Sequence, residues 1–138
     1  MTAWLCMALT VLCAGCDQAG SSASAELPRP TEVPSQVFPF SGTLQPGGTN
    51  AHSFTVSQSG YVEVTLLGLG APSSTTVGLG IGTASATSTC ALISKVTTGA
   101  GTAAQLIGTG LAGSLCVVIF DVGNLTGPTL YTMTVASS

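Results

Sequence analysis

The sequence predicts an all-β chain: an antiparallel β-sandwich or jelly roll of about eight strands, preceded by a signal segment and a disordered tether. Three observations carry this prediction. From Val37 onward apolar and polar residues alternate with a period of two, as in strands with one face buried. Turn residues interrupt the alternation about every ten positions, and no stretch keeps the period of a helix. The 138 residues are 45% hydrophobic and only 5% charged, which is too apolar for disorder. Hydroxyls and glycines stand where charges usually would.

The chain divides into three parts. Residues 1–15 are an almost unbroken apolar run, including Trp4, Leu5, Met7, Leu9, Val11 and Leu12. That is short of the roughly 20 residues needed to cross a bilayer and matches a secretory leader. Ala14-Gly15-Cys16 resembles the lipobox of bacterial lipoproteins. The resemblance implies diacylglyceryl transfer to the Cys16 thiol, cleavage after Gly15 and acylation of the new amine. Cys13 stands where that motif usually has Leu, and no Lys or Arg precedes the run. The alternative is ordinary leader cleavage that leaves the chain unmodified. With about 0.8 kcal/mol per buried methylene, several acyl chains make a stable anchor where one does not. The expected location is the bacterial cell envelope, at the outer membrane or cell surface. Asp17, directly after the anchor, resembles the inner-membrane retention signal of enteric lipoproteins and argues the other way.

Residues 16–35 carry Ser21, Ser22, Ser24, Pro28, Pro30 and Pro34 without an apolar period. Prolines break helix and ladder alike, so this reads as a tether. Residues 36–138 should form the folded domain. Phe38, Phe40 and Leu44 share one face of a first strand that ends at Gln45-Pro46-Gly47-Gly48. His52, Phe54 and Val56 alternate with hydroxyl residues, and Val62, Val64 and Leu66 with Tyr61, Glu63 and Thr65. Val77, Leu79 and Ile81 alternate with Gly78, Gly80 and Gly82. Strands follow around Cys90 to Val96 and Ala103 to Gly108. Ser114 to Val122 is apolar on both faces, as in a central strand buried on both sides, and Tyr131, Met133 and Val135 close the series.

Phe40-Ser-Gly-Thr-Leu-Gln-Pro-Gly-Gly followed by His52-Ser-Phe-Thr-Val resembles the opening of bacterial pre-peptidase C-terminal (PPC) domains. Gly60-Tyr-Val-Glu-Val-Thr-Leu continues the pattern, and Leu111 to Ile119 and Leu130 to Val135 resemble the family's closing strands. The likeness spans residues 37–136. Cys116 stands where the family usually has Tyr, and His52 where it often does. The resemblance implies a small jelly-roll sandwich that is not itself catalytic. Some relatives bind calcium through clustered carboxylates near the first strand; this chain has no such cluster there, so no metal is expected.

Of five cysteines, Cys6 and Cys13 leave with the leader and Cys16 takes lipid. Cys90 and Cys116 then form an even pair in an exported chain, for which a disulfide is the natural reading and two buried thiols the alternative. The chemistry open to the domain is narrow. Arg29 and Lys95 are the chain's two basic residues, too few to bind nucleic acid. His52 is the only histidine, and its row matches that of Tyr131, so it reads as structural. Glu63 and Asp121 are the domain's carboxylates, and no Gly-x-Ser-x-Gly elbow is present. The Gly78-Gly80-Gly82 stripe does not open a helix as a phosphate loop would; it leaves a strand face bare for a ring or backbone to approach. Phe38, Phe40, Phe54 and Phe120 fall on core-facing or doubly buried positions, leaving Tyr61 as the plausible exposed ring. Asn124-Leu125-Thr126 fits a glycosylation sequon but reads as a turn. The expectation is a non-catalytic, lipid-anchored structural or adhesive module without cofactor. A glycan- or protein-binding accessory module is the alternative, and an envelope hydrolase a distant third.

Overall fold

A computed structural model describes residues 35–87, 89–110 and 112–138. The expected leader, Cys16 and the expected tether as far as Pro34 lie outside the described residues.

Eight strands follow one another: β1 (Gln36–Leu44), β2 (Thr49–Val56), β3 (Gly60–Leu69), β4 (Val77–Ala84), β5 (Cys90–Thr98), β6 (Leu106–Gly110), β7 (Gly113–Asp121) and β8 (Thr129–Ser137). They form two four-stranded antiparallel sheets, ordered β1-β8-β3-β6 and β2-β7-β4-β5. The pairs β1·β8, β2·β7, β3·β6 and β4·β5 are each antiparallel, as if one long hairpin ribbon were wrapped into a barrel-like sandwich. That is the jelly-roll topology.

The period-two pattern fixes which residues meet between the sheets. Val62, Val64 and Leu66 of β3 and Tyr131, Met133 and Val135 of β8 face Val77, Leu79 and Ile81 of β4 and Leu115, Val117 and Ile119 of β7, all of them buried. Each such side chain stabilises the fold by roughly 1.5–3 kcal/mol through burial. A slip of one residue in any ladder would turn its apolar row to solvent. β7 lies between β2 and β4 and is buried on both faces from Leu115 to Ile119, as its two-sided apolar sequence predicts.

Two turns explain the register at one end of the sandwich. Pro46 and Gly47 take the central positions of the turn between β1 and β2. Gly47 adopts φ 69°, and Gly48 N–H donates to the Gln45 carbonyl at 2.8 Å. Proline followed by a left-handed glycine is the chemistry of a type II turn. Asp121 ties that turn to the one after β7. One carboxylate oxygen accepts from the Gly47 amide at 2.8 Å, and the other from Gly123, Asn124 and Leu125 at 2.8, 3.1 and 3.2 Å.

Two expectations need correction. The strand expected over Ala103 to Gly108 begins later, at Leu106, and ends at Gly110. The reason is Gln105, whose side chain accepts from Leu66 N–H at 2.7 Å and donates to Leu66 C=O at 3.3 Å. The Leu66 carbonyl also accepts from Gly101 N–H at 2.8 Å, so the segment before β6 bonds to β3 outside a regular ladder. Phe120 is half-buried on the outward face of β7, not in the core; its ring lies against Gly78, where a Cβ would meet it at 2.1 Å.

Candidate functional site

The glycine stripe of β4 does what a bare strand face permits, with a different neighbour at each position. The Phe120 ring covers Gly78, the side chains of Leu92 and Val118 close over Gly80, and at Gly82 the β5 backbone itself comes in. A Cβ on residue 82 would stand 2.0 Å from the Ala91 carbonyl oxygen. The β4–β5 register also shifts between Ile81 and Gly82. β5 is thereby carried over β4, and Cys90 and Cys116 are joined as a disulfide across it.

His52 and Asn50 on β2 reach across to the other sheet. His52 Nε2 lies 2.7 Å from the Tyr131 hydroxyl, and Asn50 Nδ2 donates to that hydroxyl at 3.1 Å and to the Thr43 carbonyl at 2.9 Å. Phe40 stacks on the His52 ring with centroids 4.7 Å apart and planes 18° apart. The hydrogen bonding closes when neutral His52 accepts from Tyr131 O–H while the same oxygen accepts from Asn50. Burial pushes the His52 pKa below its ordinary 6.5, which favours that neutral form. His52 therefore joins the aromatic wall of Phe38, Phe40 and Phe54 on the β1–β2 side.

The structure brings neither Glu63 nor Asp121 to His52. His52 stands opposite Val117 in the β2–β7 ladder, four residues from Asp121, or about 13 Å along the strand. The amide donors to Asp121, Gly47 foremost, lower its pKa from 3.8. Glu63 belongs to the other sheet, opposite Ala136 and Ile107, towards the end of the sandwich that holds the C-terminus. Asp121 lies at the far end, beside the β1–β2 turn. Asn124 of the sequon donates from its side chain to the Thr76 hydroxyl at 3.0 Å. Among the described residues no group of three or more His, Cys, Asp or Glu is placed to hold a metal ion.

The candidate site is a groove on the side where the edge strands β5 and β6 run past each other. Tyr61, Ile81, Ile93, Ile107 and Leu115 line it, and it encloses about 350 Å³. Its depth comes from two glycines. Gly108 and Gly110 face inward on β6, where added Cβ atoms would lie 3.4 Å from Ile81 and 2.8 Å from Leu115. With no side chain at either position, the floor stays reachable from outside. Its rim holds large apolar side chains that the fold leaves in water: Ile93 is 67% exposed, Tyr61 62% and Ile107 57%. These clustered exposed side chains make the groove the candidate site. A second, broader trough of about 490 Å³ crosses the outer face of the β2-β7-β4-β5 sheet, between Ala51, Leu92, Lys95 and Phe120. It lacks a comparable cluster of exposed apolar residues.

Sequence reasoning reached Tyr61 but missed Ile93 and Ile107. The signal was present: Leu92-Ile93 and Leu106-Ile107 are adjacent apolar pairs on strands, and neighbours on a strand point to opposite faces. No family model matches the chain, and no curated protein matches it.

Proposed function

We propose that this chain is a lipid-anchored lipoprotein of the bacterial cell envelope, held by an acylated Cys16, whose jelly roll is a non-catalytic structural or adhesive module. The proposal takes in the resemblance of residues 37–136 to the PPC family and a position at the outer membrane or cell surface. The observation that carries the binding role is the β5–β6 groove, with Ile93, Tyr61 and Ile107 exposed around an apolar floor. Support for a non-catalytic role comes from His52 and Asp121, which hold the two sheets and the two turns together.

A glycan-binding accessory module is the second reading. Tyr61 favours it, since an exposed ring beside the Thr109 and Ser94 residues of the same groove offers a sugar both a stacking face and hydroxyls. Capture of envelope proteins and of glycans on the immobilised full chain separates the two, with Ile107→Asp as control. The adhesive reading expects envelope protein retained by wild type and lost with Ile107→Asp. Retention of glycan alone would favour the second reading, and equal retention by both forms would overturn the groove as the binding surface. Mass spectrometry of the native N-terminus tests the anchor: a mature chain that does not begin at acylated Cys16 would refute it.

A further inference from the structure

No charged side chain lines the groove, but one charged residue neighbours its lining on each side. The charged side chains among the described residues are Glu63, Lys95 and Asp121, and Asp121 is bound to backbone amides. The other two flank the groove. Glu63 is exposed on the outer face of the first sheet, opposite Ile107 in the β3–β6 ladder. Lys95 is exposed on the outer face of the second, two residues beyond Ile93 on β5.

Their heights match. Gly108 lies against Ile81 across the groove; its ladder partner is Val62, and the partner of Ile81 is Ser94. Glu63 and Lys95 each follow those partners by one residue, on strands that run in the same direction. We infer that the groove binds a second copy of this chain, through a two-fold axis that runs along the groove parallel to the strands. Such an axis exchanges the lips and keeps the height. It sets Glu63 of each copy against Lys95 of the other and packs Ile93, Ile107 and Tyr61 between them. A two-fold axis across the strands would instead oppose like charges.

The same operator keeps both copies pointing one way, so that β1 starts at the same end in each. Resting here on the proposed anchor, that is the arrangement two chains tethered to one membrane need. The contact is made by side chains and not by ladder extension, because the register shift beside Ile93 interrupts the β5 edge. The interface is isologous, and a charge pair at its rim adds specificity more than affinity.

The test is sedimentation velocity of the purified full chain in detergent, with carbodiimide coupling of mixed ¹⁵N-labelled and unlabelled protein. The expected result is a dimer whose mixed-isotope cross-link joins Glu63 to Lys95. Glu63→Lys and Lys95→Glu should each raise the dissociation constant about ten-fold. The double swap, or a mixture of the two single variants, should restore it. A chain that stays monomeric at high concentration, or a dimer indifferent to both swaps, would overturn the inference. If wild type is monomeric while Ile107→Asp still abolishes envelope capture, self-association falls and the groove remains the binding surface. If Ile107→Asp changes neither property, both readings fall.

Discussion

Cys90 and Cys116 sit on strands that β4 separates, yet their Cα atoms are only 5.8 Å apart. Two strands on either side of a third normally lie about 9.5 Å from each other. Gly82 makes up the difference, because the β5 backbone at Ala91 passes through the space a side chain would fill. Gly82→Ala is therefore expected to destabilise the domain by about 2–3 kcal/mol and to leave free thiol at Cys90 and Cys116. Gly78→Ala should cost less, since only the far edge of the Phe120 ring must swing aside. Urea unfolding with thiol quantitation checks both.

The disulfide closes a loop of 26 residues. In the chain-entropy model that loop stabilises the domain by roughly 3–4 kcal/mol. The Cys90→Ser/Cys116→Ser double variant should lose about that much, and reductant should bring wild type to the same midpoint without changing the variant.

Tyr131→Phe removes the hydroxyl that satisfies both Asn50 and His52 while keeping the ring that fills the core. A loss of about 1–2 kcal/mol is expected. His52→Phe in the same background should recover part of it, since a second apolar ring can stack on Phe40 without needing a partner.

The depressed pKa of His52 gives the pH dependence a definite sign. Above the unfolded value near 6.5 both states are neutral and the group contributes nothing. As pH falls below that value the unfolded chain takes up a proton before the folded one, and stability declines until the folded pKa is passed. Asp121 acts in a lower window. Its stabilisation is full above the unfolded value near 3.9 and is lost as pH falls through the lowered folded one. Thermal melts across pH should show the first decline vanish in His52→Gln and the second in Asp121→Asn.

Much of the fold was legible because alternation and turn chemistry act locally. Val62, Val64 and Leu66 could only face one way, and Pro46-Gly47 could only turn. The stripe at Gly78, Gly80 and Gly82 announced close approach, though not that Phe120, Leu92 and the β5 backbone would make it. The site was less legible because it arises between elements distant in sequence. Nothing near Ile107 shows that Gly108 and Gly110 uncover Ile81 and Leu115, and Gln105 ended a strand pattern through a hydrogen bond to Leu66, 39 residues away.

Photo-cross-linking on intact cells tests most directly whether the β5–β6 groove is the working surface of this domain. A photoreactive residue at position 107 should yield a defined cross-linked product, whereas one at the exposed Thr132, across the same sheet, should yield none. Products from position 132 with none from 107 would contradict it.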